Sequence, residues 1–179
     1  MVYRRILLVL SLFAISGAAY GQALPTADRT FQFQLGLAVS LGSPDYGDQN
    51  IEGVSLFGDL DYGAHWGLDG EIHDLTINTP QDIGESSALL NIRYKLNYGK
   101  VHPHVRVGAG IAYLDFDKGF YPANSSERHG IYDIGMGLDY YATRKMHIRV
   151  IDFEYQDWKN YPPNGLNPYI LSIGAAYNF

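Results

Sequence analysis

The sequence contains no cysteine. That excludes a disulfide framework and a thiolate metal site, and it excludes an acyl anchor attached to cysteine. After its N-terminal segment the chain nowhere approaches the roughly 18 consecutive apolar residues of a spanning helix. If the mature chain crosses a membrane, it must therefore do so as a closed barrel, the other fold that satisfies its backbone polar groups internally. Basic charge is also scarce: 13 Lys and Arg stand against 19 Asp and Glu, a formal net charge of −6 with His neutral. That balance offers no basic patch for nucleic acid, which is excluded as a partner. At 179 residues there is length for one domain but not for two independent cores.

What is present begins with an export signal. Arg4 and Arg5 precede the apolar run Ile6 to Ile15, and the small residues from Ser16 to Ala23 follow; these are the three regions of a secretory signal peptide. Cleavage after Gly21 puts Ala19 and Gly21 at the small-residue positions, and cleavage after Ala23 is the alternative. The apolar run falls short of the roughly 20 residues of a spanning helix, which disfavours an N-terminal anchor. Residues 1–21 are thus expected to be removed, leaving 22–179 as the mature domain. The loss of two arginines and no acid leaves 11 basic and 19 acidic residues, or −8.

Residues beyond the linker from Leu24 to Arg29 alternate with period two, the mark of strands with two unlike faces. The first strand, Thr30 to Leu41, sets Phe31, Phe33, Leu35, Leu37, Val39 and Leu41 against Gln32, Gln34, Gly36, Ala38 and Ser40. Seven more are expected: Gly53 to Tyr62, Trp66 to Leu75, Ser87 to Tyr98, His102 to Leu114, Gly130 to Tyr141, Met146 to Gln156 and Leu166 to Phe179. In the seventh the phase slips at Ile151-Asp152, which reads as a β-bulge, since a continuous strand would turn Asp152 to the apolar face; strand termination is the competitor. Connections alternate in length: long at 42–50, 76–85, 115–129 and 157–165, with short turns between.

That rhythm is required of an up-and-down outer-membrane barrel with both termini in the periplasm, whose periplasmic turns are short and extracellular loops longer. Ten residues at about 3.3 Å each, tilted about 40°, cross close to 25 Å of apolar thickness. The competing architecture is a soluble ligand-binding barrel with its apolar face inward. Three features favour the membrane form. One face is apolar along nearly every strand, while the other mixes glycine and alanine with charges of both signs. Aromatics make up 14% of the chain, with 15 Tyr against 8 Phe. They also gather near strand ends, as at Tyr62, Trp66, Tyr98, Tyr113, Tyr132, Tyr140 and Phe179, as interfacial girdles do.

The ending Tyr177-Asn178-Phe179, with Phe31-Gln-Phe-Gln-Leu-Gly-Leu and Arg106-Val-Gly-Ala-Gly-Ile-Ala-Tyr, resembles the small eight-stranded outer-membrane barrels of the OmpA/OmpX type. The resemblance covers essentially the whole mature chain and implies an all-β, eight-stranded antiparallel up-and-down transmembrane β-barrel in the bacterial outer membrane. It also implies that Tyr177 and Phe179 form a C-terminal insertion signal read by the barrel-assembly machinery. Outer-membrane lipids are the other expected partners, and the barrel is expected to be monomeric. The mature chain is expected to end at the barrel, without the peptidoglycan-binding domain of OmpA-type proteins, so wall anchoring is not implied. Function does not follow from the fold, because such barrels host unrelated roles.

On the inward face fall Asp59, Asp61, Asp69, Glu71, Arg93, Lys95, Arg106, Asp133, Asp139, Arg149 and Glu154, drawn from six strands. Eight strands leave an interior that side chains largely fill, so these charges are expected to pair and plug the lumen. A non-enzymatic structural or surface-interaction role follows. A narrow porin-like channel for small solutes is the alternative, and an outer-membrane lipid-modifying enzyme the third reading. For the last, Ser125, Ser126, Glu127, Arg128 and His129 are consecutive residues with no geometric constraint, and read as ordinary loop polarity. His102 and His104 share a face near the periplasmic rim without obvious carboxylate companions. Asp115 and Asp117 could touch an ion bridging lipid phosphates, and Asn124-Ser125-Ser126 fits a glycosylation pattern of little meaning in a bacterial-type chain. No catalytic, cofactor-binding or metal site is assigned.

Overall fold

A computed structural model describes residues 31–45, 49–78, 83–116, 128–159 and 165–179. The leader segment, Asp117 and the group from Asn124 to Glu127 lie outside the described residues. Eight strands follow in chain order: β1 (Phe31–Ser43), β2 (Ile51–Tyr62), β3 (Trp66–Asn78), β4 (Ile83–Lys95), β5 (Val101–Phe116), β6 (Arg128–Tyr140), β7 (Met146–Asp157) and β8 (Tyr169–Asn178). Each pairs antiparallel with the next, and β8 returns to β1, from Gln34↔Asn178 to Ser43↔Tyr169. The sheet is a closed barrel with no free edge, so every strand finds its hydrogen bonds within the wall.

The two faces sort by polarity in the sense opposite to a water-soluble protein. Val39, Leu68, Ile92, Val107, Ile134 and Ile173 stand out from the wall with about half their surface exposed, while Gln34, Asp59, Asp69, Arg106 and Glu154 are buried inside. Apolar side chains surround the cylinder on every strand, far beyond the few hundred Å² a soluble monomer exposes. Lipid is the solvent that such a surface fits, and the soluble ligand-binding barrel is thereby excluded.

Several strand ends differ from those read in the alternation. Strand β3 continues to Asn78 and β4 begins at Ile83, so the expected long connection 76–85 shrinks to 79–82. Backbone pairing continues there, with Glu52 opposite Asn78 and Leu75 opposite Glu85, after side-chain alternation has faded. Conversely β4 stops at Lys95 rather than Tyr98. Tyr98 and Val101 bracket a tight turn in which Gly99 takes φ +66°, a left-handed conformation that glycine adopts without steric cost. Strand β8 starts at Tyr169, Leu166 having instead formed a bridge to Trp158.

The phase slip in β7 is a bulge. Pairing with β8 passes from Arg149↔Gly174 to Asp152↔Ser172, and pairing with β6 from Asp139↔Arg149 to Leu138↔Ile151. Val150 and Ile151 therefore both face outward, with 42% and 46% exposure. The extra residue turns Asp152 into the lumen beside Glu154.

The inner face is less uniformly polar than the alternation suggests. Toward the long connections Leu89, Ala112, Leu114, Ile131, Trp158 and Leu166 pack into one buried cluster, and Ile51, Leu75 and Ile170 into another. Those within strands have inward parity but lie at the end away from the charges, and Trp158 and Leu166 join them from the bridge beyond β7. Nearer the middle, Phe57 packs with Ala38 and Ala176, and a Cβ on Gly36 would overlap its ring. Small residues on β1 and β8 thus leave the room that Phe57 fills.

The same economy generates a stability test. A Cβ on Gly110 would overlap the Ala88 carbonyl oxygen, whereas one on Gly130 meets nothing within 4 Å. Gly110→Ala should destabilise the barrel by about 1–3 kcal/mol, the usual cost of overpacking, and Gly130→Ala should be near neutral. Urea midpoints of the refolded variants, read by heat-modifiable gel migration, measure the difference.

Candidate functional site: the charged lumen

Strand parity puts i, i+2 pairs on the inner face, so β2 contributes Asp59 and Asp61, β3 Asp69 and Glu71, and β4 Arg93 and Lys95. The register then sets like beside like. Asp59 lies opposite Asp69, and Arg93 lies opposite Arg106 on β5. Like charges side by side on a sheet repel, and relief comes from across the cylinder.

Three arginines provide it. Arg93 donates to Asp59 at 2.7 Å and to Asp61 at 2.8 Å, and reaches Asp139 at 3.3 Å. Arg149 donates to Glu71 at 2.7 Å, to Asp59 at 3.1 Å and to Asp139 at 3.3 Å. Its guanidinium also lies over the Phe57 ring, 3.8 Å from the centroid, a cation–π contact in a desolvated setting. Arg106 holds both oxygens of Asp152 at 2.6 and 2.7 Å, Glu71 at 2.8 Å and Glu154 at 2.9 Å. Lys95 pairs with Asp61.

Two of the expected charges sit at the margin of this network. Asp69 accepts from Asn91 at 3.0 Å, but its closest cations are 3.7 and 3.8 Å away, on Arg106 and Arg149. Asp133 is buried 3.9 Å from Arg106 Nε, and neither of its oxygens takes a hydrogen bond among the described residues.

Sequence reading missed several members. Asp152 is a principal partner of Arg106, brought inward by the bulge. The view of His104 as a rim residue without carboxylate companions is corrected: it is 3% exposed, with Asp139 at 3.4 Å and Asp152 at 3.5 Å. Those companions come from β6 and β7, which the linear sequence does not place beside it. His102 does stay at the rim, its ring 4.3 Å from that of Tyr141. Tyr141, in the turn after β6, accepts a hydrogen bond from Gln34 at 2.8 Å, and burial pushes its hydroxyl well above the usual phenol range.

His73 was also passed over, although its parity matches Asp69 and Glu71. Its Nδ1 shares a 2.6 Å hydrogen bond with Ser55 Oγ, and Ser55 bonds Ser40, which bonds Ser172 at 2.7 Å. On its other side, Nε2 lies 3.4 Å from Glu71 and 3.3 Å from Glu154. A serine hydroxyl on a histidine flanked by glutamates has the contact pattern of a nucleophile and its base. Ser55 and His73 are only 3% and 2% exposed, enclosed among lumen side chains.

Of the expected loop group, Arg128 and His129 are described, and they point to opposite faces. Arg128 is exposed, while His129 is buried and stacks on Trp158 at 6.2 Å. Tyr177 and Phe179 face outward with rings 5.0 Å apart, and the Phe179 N–H donates to the Phe33 carbonyl at 2.9 Å.

Removing a shared cation weakens the compensation of several buried carboxylates at once. Arg106→Ala should cost about 3–5 kcal/mol, the range for breaking a buried ion pair. Lys95→Ala should cost less, because Asp61 keeps Arg93 at 2.8 Å. Equilibrium urea unfolding in detergent micelles or lipid vesicles checks the order of the two.

Comparison with known proteins agrees with this architecture. The family model described as "Outer membrane protein beta-barrel domain" matches residues 6–179. Among solved structures, Neisserial surface protein A is similar with a TM-score of 0.62 and 15% identity, over 84% of this chain and 97% of that one. Ail, the attachment invasion locus protein of Yersinia pestis, gives 0.55 and 20%, over 83% and 97%. The N-terminal β-barrel domain of Pseudomonas aeruginosa OprF gives 0.53 and 16%, over 82% and 97%. No curated protein sequence matches the chain. The closed eight-stranded wall, polar within and apolar without, and the family match along nearly the full length lead to one assignment: the chain belongs to the outer membrane protein β-barrel family.

Proposed function

We propose that this protein is a sealed integral barrel of the bacterial outer membrane, with a structural or surface-interaction role carried by its outer wall and long connections. The observation that supports this reading is the filling of the lumen. Arg93, Arg106 and Arg149 are each 1–2% exposed and tie β2, β3, β6 and β7 together across the interior. Above them, toward the long connections, the cluster around Trp158 and Leu114 is equally dry. A solute path would have to separate ion pairs in a medium of low dielectric and displace packed apolar side chains.

In this reading both termini and the turns after β2, β4 and β6 face the periplasm, and the connections after β1, β3, β5 and β7 face outward. Residues 1–21 act as the cleaved signal. The barrel is a monomer whose partners are outer-membrane lipids and, during insertion, the assembly machinery that reads Tyr177 and Phe179. Neisserial surface protein A and Ail are named for surface and attachment roles; their likeness to this chain is one of fold.

Purified, refolded protein in a planar bilayer should give no reproducible open channel. A stable conductance in the wild-type barrel would replace the sealed reading with the narrow-pore one. Deletion of Phe179 should lower the fraction of protein recovered as folded, heat-modifiable barrel in outer-membrane fractions; wild-type recovery would remove the terminal signal from the proposal.

A further inference from the structure

Charge bookkeeping in the lumen does not close. Among the described residues Asp59, Asp61, Asp69, Glu71, Glu85, Asp133, Asp139, Asp152 and Glu154 are buried, against Arg93, Lys95, Arg106 and Arg149 as permanent cations. Nine carboxylates to four cations leaves a deficit of positive charge, and buried charge is expensive unless paired. The deficit is felt where several buried acceptor atoms must share one cation.

Glu71, His73 and Glu154 form such a place. Each offers one ligand atom, and these atoms lie within 4.8 Å of one another. His73 Nε2 is buried and takes no hydrogen bond among the described residues, yet it sits 3.4 Å from Glu71 Oε2 and 3.3 Å from Glu154 Oε2. Two ligands at about 2.0 Å from a tetrahedral ion are separated by about 3.3 Å. We propose that Glu71, His73 and Glu154 form a binding site for a divalent transition-metal ion of the zinc type, which clamps β3 to β7 across the lumen.

Each ligand is held from behind, as metal ligands are. His73 Nδ1 is fixed by Ser55, and Ser55 in turn by Ser40. Glu71 Oε1 accepts from Arg149 at 2.7 Å and Glu154 Oε1 from Gln156 at 2.6 Å. Each glutamate therefore has one oxygen anchored and the other turned toward His73. One imidazole and two carboxylates suit zinc, and leave a fourth position of a tetrahedron open. Calcium and magnesium prefer six or more oxygens and little nitrogen.

Arg106 is the competitor, since its Nη2 contacts the same two oxygens at 2.8 and 2.9 Å. It has somewhere else to go. Its Nη1 already holds Asp152, and Asp69 Oδ2 and both Asp133 oxygens lack hydrogen-bond partners among the described residues, on carboxylates that come within 3.7 and 3.9 Å of its Nε. A metal at His73 would let Arg106 swing toward these acceptors. The other three-ligand group among the described residues, Asp59, Asp139 and His147, lacks this freedom: Arg93 and Arg149 already engage both carboxylates. It serves as an internal control.

The packed interior means that the ion enters during folding. Untagged protein should be unfolded in urea with chelator, refolded into micelles with or without Zn²⁺, desalted and measured for bound metal and urea midpoint. The expected result is a single zinc per barrel and a higher midpoint after refolding with Zn²⁺, with zinc retention lost in His73→Gln and kept in His147→Gln. Heat-modifiable migration confirms that each variant has folded, and Glu154→Gln replaces His73→Gln if the latter has not. A folded wild-type barrel without zinc overturns the proposal, as does zinc held equally by folded His73→Gln or Glu154→Gln.

Discussion

Arg149 on β7 meets Asp59 on β2 at 3.1 Å across 90 residues of sequence, and the ring of strands that brings them to one interior is closed by the pairing of β8 with β1. The rest of the interior depends on that closure. Along the wall the register places Asp59 beside Asp69 and Arg93 beside Arg106. An open sheet with that pattern would repel itself on its polar face. Rolled into a cylinder, the acidic sector of β2 and β3 faces cations from β4, β5 and β7, and the repulsion within each sector becomes attraction across the lumen.

The seam itself carries no lumen charge. Strands β1 and β8 contribute Gln34, Ser40, Ser172 and Asn178, together with Gly36, Ala38, Gly174 and Ala176. That division has a steric cause. Three arginines and Phe57 need volume, and eight strands enclose little, so bulk on one wall requires small residues on another. Gly135 shows the same trade on the far side, since a Cβ there would come within 2.8 Å of the Arg106 guanidinium. The apolar clusters near the long connections complete the filling, with Trp158 satisfied by donating to Gln156 at 2.8 Å.

Much of the fold was legible because a period of two is a local property. Leu68 and Ile72 against Asp69 and Glu71 declare their faces without reference to any other strand. The bulge in β7 was legible for the same reason, through the broken phase at Ile151 and Asp152. Strand ends were not. At Asn78 and Ile83 the backbone goes on pairing with neighbours whose positions the local pattern does not encode. His104 was misjudged because its companions Asp139 and Asp152 lie on other strands, and His73 because a histidine's partners carry no spacing signature when they come from β2, β3 and β7.

By itself, then, the sequence determined which side of each strand meets lipid and which residues could occupy the lumen, since alternation, glycine content and aromatic strand ends are written residue by residue. Tertiary structure alone decided who meets whom inside. The identity of each partner depends on register, shear and closure, which are summed over the whole ring of hydrogen bonds. A one-residue slip in any strand would turn its inner set outward. That is why Arg106 as an inward cation could be read from β5, whereas its grip on Asp152 and Glu154, and the approach of His73 to Glu71 and Glu154, arise only in the closed barrel.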